Sequence, residues 1–230
     1  ANSLLSCIYT GLMMGPGVNN YLKNLPEATS QLSSSVFKND EKRWKERFSE
    51  ISSMKGSENP YALHSELAEA MISNVLIVRE NDKLQSTLDV IEEIESRWKD
   101  IECVDTQDWS NPVPSFVNQL WNMIQLSKII TMGALKRDEF RGSHYKPEFD
   151  LNQPDDFDPA DYLEYEEQKA NGGVHKDQFA PSHVDYMERF EKNNEDWLKS
   201  SIATYNNGKP AVDFESVDTS LIAPRPRKYD

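Results

Sequence analysis

Apolar residues recur at steps of three and four along most of the first two-thirds of the chain, the spacing of amphipathic helices. The opening run "LLSCIYTGLMM" follows two good N-cap residue types, Asn2 and Ser3, and Gly15-Pro16-Gly17 is expected to end it. After the polar connection "NLPEATSQLSSS", the segment "NDEKRWKERFSEISSM" places Trp44, Phe48 and Ile51 on one face, with Gly56 as its stop. "NPYALHSELAEAMISNVLIV" is a stronger helix, with Pro60 in its first turn and Leu63, Leu67, Met71, Val75 and Val78 in register. "DKLQSTLDVIEEIESRWKDI" repeats the pattern with Leu84, Leu88, Ile91, Trp98 and Ile101. A third helix, from Pro112 to near Arg137, presents Phe116, Leu120, Ile124, Ser127, Ile130 and Ala134. Three such helices with short connections predict an antiparallel bundle.

Beyond Arg137 the periodicity stops. "RDEFRGSHYKPEF" is punctuated by Gly and Pro and mixes charge with aromatics. An acidic stretch follows, with one short helix expected in "SHVDYMERFEKN". "WLKSSIATYNNGKPAVDFESVD" reads as two strands turning at Asn206-Asn207-Gly208, and Pro224 and Pro226 keep the basic tail out of regular pairing. The expected fold is mainly α: a three-helix antiparallel bundle followed by a small α+β C-terminal segment with a short β-hairpin.

Composition sharpens this picture in three ways. The net charge of -14 excludes non-specific binding to nucleic acid or to an anionic membrane. Between Asp150 and Asp196 stand 14 acidic and 4 basic residues, so most of that charge sits in one block, expected to be a solvated insertion. Cys7 and Cys103 are far apart and read as reduced thiols of a cytoplasmic protein, with Cys7 expected in the core. No apolar run reaches the length of a membrane span, and the opening residues, without a basic n-region, are not expected to be a signal peptide.

Candidate chemistry is sparse. His64, His144, His175 and His183 lack metal-ligand spacing, no paired-cysteine motif occurs, and no metal site is expected. The glycines of "GLMMGPG" close a helix rather than open one, and no serine has a nucleophile elbow around it. The densest polar segment carries Arg137, Arg141, His144 and Lys146 within ten residues, interleaved with Phe140 and Tyr145. Gly142 there implies a fixed turn, and Arg141 and His144 are candidates for a docking or structural loop.

Three stretches carry a resemblance. "NPYALHSELAEAMISNVLIVREN", "WNMIQLSKIITMGALKRDEFRGSHYKPEF" and "VDTSLIAPRPRKY" together resemble the C-terminal part of a succinate dehydrogenase flavoprotein subunit, of the Bacillus-like, menaquinone-linked type. The resemblance implies a cofactor, FAD, with Asn2, Ser3 and Leu4 as the cofactor-facing positions at a helix start. A helix N-terminus there would favour negative charge on the pyrimidine end of the flavin. It implies that catalytic residues and most flavin ligands lie in a preceding region, so that this chain alone neither holds flavin tightly nor turns over succinate. It implies as partners the N-terminal flavin-binding part of the subunit, an iron–sulfur subunit and, indirectly, a membrane-anchor cytochrome b. The location implied is the cytoplasmic side of the cell membrane.

On this reading residues 1–35 end the flavin-binding domain and 36–140 form the helical domain. Residues 141–149 are the Arg-Gly-x-His loop, 150–196 an acidic insertion, and 197–230 the strands and tail. Two departures stand out. Phe140 replaces the serine usual in Glu-Ser-Arg-Gly-x-His, and the acidic stretch replaces a short link before "WLK". The alternatives are a stand-alone helical interaction module without redox role, or the equivalent part of a fumarate reductase or an L-aspartate oxidase.

Overall fold

The computed structural model describes residues 2–105, 107, 109–206 and 209–228, apart from the side chains of Asn2 and Ser3. The chain falls into two compact units, residues 1–50 and 51–230.

In the first unit α1 spans Asn2–Asn24 and continues through Pro16, where the sequence predicts a stop. Proline withholds one helical N–H and its ring crowds the carbonyl four residues back. The flanking Gly15 and Gly17 have open space around them and give the backbone room to absorb this. The helix keeps its apolar side chains in solvent: Leu4, Ile8, Leu12 and Tyr21 are all exposed. Cys7 is exposed as well, which corrects its expected place in the core. A single 3-10 turn leads to α2, Ser34–Ser52. Of its expected inner face, Trp44 and Phe48 stack loosely on each other at 6.1 Å and stay exposed, and only Ile51 is buried.

The second unit contains the bundle. Helices α3 (Pro60–Asn74), α4 (Asn81–Arg97) and α5 (Val113–Lys136) pack pairwise. Asn59 caps α3, its side chain accepting from Tyr61 N at 2.9 Å. The directions follow from side-chain pairs. Asn74 at the end of α3 meets Thr87 near the start of α4, and Arg97 at the end of α4 returns to Glu58 and Glu66. Trp98 beyond α4 donates to Val117 O near the start of α5, and Lys128 on α5 pairs with Glu95 on α4. Hence α4 runs antiparallel to both neighbours.

Leu63, Leu67, Ile91, Ile94, Trp98, Leu120 and Ile124 form the main core. On α5 the buried stripe is Val117, Leu120, Ile124, Ser127, Thr131 and Ala134, one step round from the predicted Phe116 and Ile130. Gly56 does not stop α2, which ends earlier. It lets the backbone touch the turn at Asp100, where an added Cβ would lie 1.8 Å from Asp100 O.

The acidic stretch is folded, contrary to the expected exposed insertion. It carries two helices, α6 (Pro159–Ala170) and α7 (Pro181–Trp197), over a second core of Phe157, Tyr162, Tyr165, Val184, Tyr186 and Met187. Its carboxylates line the outer faces while aromatics three or four positions apart turn inward. Burial of these rings at ~25 cal/mol per Å² of apolar area drives the packing. Strands β1 (Lys199–Asn206) and β2 (Lys209–Ser216) pair antiparallel, with Asn206 opposite Lys209. Asn207 and Gly208 of the expected turn lie outside the described residues.

Candidate functional site

The segment after α5 is where the second unit converges. Arg137 leaves the helix in extended conformation. Residues 141–144 then close a tight turn in which Arg141 N and His144 N each donate to the other's carbonyl at 3.0 Å. Gly142 has φ 59°, and nothing lies within 4 Å of where a Cβ would stand, so glycine is required there by backbone conformation rather than by space. Arg79 N donates to Tyr145 O at 3.0 Å, which ties the turn to the segment between α3 and α4.

At the centre lies Glu139, 0% exposed. Its carboxylate accepts from Arg137 and from Arg141 Nε (2.8 Å), and Asn193 Nδ2 on α7 approaches at 3.3 Å. Arg137 uses all five of its N–H donors: on Glu139, Trp197 O, Lys199 O and twice on Ser201 Oγ. Its guanidinium also lies over the rings of Phe214, 5.2 Å away, and Trp197, 6.0 Å away. One side chain therefore joins α5, the end of α7 and both strands. Arg141 reaches Asn194 Oδ1 at 2.9 Å.

His144 is fixed by both ring nitrogens. Nδ1 lies 2.6 Å from Arg79 Nη1, and Nε2 lies 2.8 Å from Arg137 O. Arginine can only donate and a carbonyl can only accept, so the ring is the neutral Nε2–H tautomer. Burial, with the charges of Arg79 and Lys146, pushes its pKa below the ordinary histidine value despite the opposing bond to Arg137 O. Lys146, 1% exposed, donates to Leu135 O (3.1 Å) and Asp138 Oδ1 (2.9 Å), with its ammonium 5.6 Å from the Phe149 ring. Phe140 packs on Tyr145, with centroids 4.9 Å apart, so the residue replacing the usual serine makes an apolar contact.

Of the residues singled out from sequence, Arg141 and His144 share this node. Leu4 sits in the first turn of α1, 72% exposed, and the side chains of Asn2 and Ser3 lie outside the described residues. Sequence reasoning missed Glu139, Arg79, Asn193 and Asn194 as members of the node. The signal for Glu139 was its place at the head of the Glu-x-Arg-Gly-x-His pattern, two residues before Arg141 and two after Arg137. Among the described residues no group of three or more His, Cys, Asp or Glu could hold a metal ion. No helix among them is long and apolar enough to cross a membrane. Arg137, Glu139, Arg141 and His144 thus form a hydrogen-bonded lattice suited to fixing elements relative to one another.

Comparison with known proteins agrees with the pattern in these segments. The chain is 39% identical over 231 residues to the succinate dehydrogenase flavoprotein subunit of Bacillus subtilis, covering 100% of this chain and 33% of that protein. It is 26% identical over 178 residues to the 8-methylmenaquinol:fumarate reductase flavoprotein subunit of Wolinella succinogenes, covering 76% of this chain and 27% of that one. The fold matches that of E. coli quinol fumarate reductase with a TM-score of 0.61 at 17% identity, over 86% of this chain and 27% of that structure. The chain thus spans about a third or less of the length of these relatives. The family model described as fumarate reductase flavoprotein C-term matches residues 64–229, from early α3 through the bundle, the node and the tail, and the chain belongs to that family.

Proposed function

We infer that this chain acts as the C-terminal helical part of a succinate dehydrogenase flavoprotein subunit. In the intact enzyme succinate is oxidised to fumarate, and electrons pass through FAD to an iron–sulfur subunit and on to quinone through a membrane-anchor cytochrome b. The observation that carries this reading is the 39% identity to the Bacillus subtilis subunit along the whole chain. It favours the dehydrogenase over the stand-alone module, which would have no reason to share that register from end to end.

The start of α1 fits flavin as one contact of a larger site. The helix has no acidic residue in its first turn, so the positive end of its dipole is not neutralised locally, and Leu4 is open to a neighbour. Asn2, Ser3 and Leu4 would border the cofactor, and residues 1–35 would complete a flavin domain. Flavin, when bound, supplies the two-electron acceptance that the reaction needs. The chain's own contribution is positional. The Arg137–Glu139–Arg141 lattice and the neutral His144 hold the bundle, α7 and the hairpin as one body, and Arg141 and His144 serve as the structural loop. The subunit would lie on the cytoplasmic face of the membrane, held there by its partners.

A chimera tests this. The Bacillus subtilis subunit with its C-terminal third replaced by this chain should assemble, hold flavin and reduce a dye when given succinate. A chimera that folds and holds flavin but gives no succinate-dependent reduction would contradict the reading.

A further inference from the structure

A cleft of 870 Å³ lies between the Arg141–Gly142 turn, residues 150–153, the inner side of α7 and the C-terminal tail. Its lining is unusual for so acidic a chain. Three arginines face it (Arg141, Arg225 and Arg227) against a single carboxylate, Asp150. Among the described residues Arg225 and Arg227 form no hydrogen bond or ion pair with any protein group. Arg141 spends its Nε on Glu139 and its Nη2 on Asn194, which leaves Nη1 without an acceptor. Asp150 is itself engaged, accepting from Asn152 N at 2.8 Å. Gln153 also lines the cleft, and its Nε2 is buried with no partner.

The buried Gln153 amide without an acceptor costs about 1–3 kcal/mol, and beside it the exposed forks of Arg225 and Arg227 carry positive charge that no carboxylate among the described residues neutralises. The orphaned group is a donor and its charged neighbours are cations, so the matching ligand is acceptor-rich and negatively charged. Pro226 between the two tail arginines is buried, which holds them at the cleft rather than leaving them on a loose end. Lys228 donates to Asp155 O at 2.8 Å and anchors the tail beyond them. The volume falls in the range of small-molecule sites.

The geometry points to an anion site in this cleft, taking a small oxyanion (a carboxylate or a phosphate) on Arg225, Arg227 and the Gln153 amide. Planar forks bind either group in bidentate fashion. The site makes no use of the start of α1.

The test is calorimetric titration of the full chain with inorganic phosphate and, separately, with malonate, at low salt. At least one probe should saturate with a dissociation constant under about 1 mM, and the tighter probe identifies the group recognised. The double variant R225Q/R227Q should weaken binding tenfold or more, and Q153L about threefold or more. Lys209→Gln, on the hairpin and away from the cleft, should leave binding unchanged. Circular dichroism establishes that each variant keeps the helical content of the parent. Failure of both probes to saturate by about 10 mM would overturn the proposal. Equal loss of binding in R225Q/R227Q and Lys209→Gln would overturn it too, since it would reveal only general attraction to positive charge.

Discussion

Glu139→Gln is the substitution that most directly tests the node. The side chain is 0% exposed and faces two guanidiniums and one amide donor. Glutamine keeps the shape but removes the charge, and it turns one acceptor oxygen into an N–H2 that must face an existing donor. A hydrogen bond to a charged group contributes about 1.5–3 kcal/mol. Two such bonds are weakened and one is reversed, but Arg141 is about a third exposed and its share is screened by solvent. Arg137, with a side chain only 12% exposed, keeps its full share. The expected loss is about 3–4 kcal/mol, within the range for breaking one side of a buried pair. Arg141→Gln, by contrast, should cost only about 1–2 kcal/mol. Urea unfolding of the full chain, followed by tryptophan fluorescence, measures both. An unchanged slope with a lower midpoint would assign the effect to the native state. A loss below about 0.5 kcal/mol for Glu139→Gln would refute the reasoning, since the carboxylate would then be supplying nothing that its neighbours need.

Two histidines should give the chain opposite pH responses. The folded protein lowers the pKa of His144, so its stabilising contribution is complete above about pH 6.5 and falls away as acidification proceeds from there through the lowered pKa. Gln can mimic both of its hydrogen bonds, so in H144Q the urea midpoint should vary less between about pH 7.5 and 5.5 than in the parent. His183 differs. Burial pulls its pKa down, but the hydrogen bond and charge of Asp161 (2.8 Å from Nδ1) and the charge of Asp156 (3.3 Å from Nε2) outweigh this and raise it. Its contribution is complete below about pH 6.5 and is lost as pH rises through the elevated value, and H183Q should abolish that loss. Gly56→Ala forces a methyl to within 1.8 Å of Asp100 O and should cost about 3 kcal/mol or more, read as a lowered thermal midpoint.

The bundle was legible because its helices are long and their apolar period is regular. The error on α5 has a specific cause. Thr131 is polar by name, yet it satisfies its hydroxyl on Ser127 O at 2.8 Å and buries, while the more apolar Ile130 stays half exposed. The stop assigned at Gly15-Pro16-Gly17 failed because local breakers forbid one hydrogen bond, not a whole helix. In residues 150–196 the charge count hid the fold: the carboxylates occupy outer faces, and the rings of Phe157, Tyr162, Tyr165 and Tyr186 carry the packing. Arg141 and His144 stood out in sequence through Gly142 between them. Glu139 did not, because a glutamate is ordinarily exposed and only three-dimensional convergence puts two arginines on it.

We infer that this chain completes a succinate-oxidising flavoprotein. To test this, the chain is mixed with the N-terminal flavin-binding part of the subunit and flavin absorbance is followed as succinate is added. A stable complex whose flavin bleaches with succinate is expected, with no bleaching from either part alone. A folded, flavin-loaded N-terminal part that forms no complex with the chain, or that bleaches equally without it, would exclude that role for the chain.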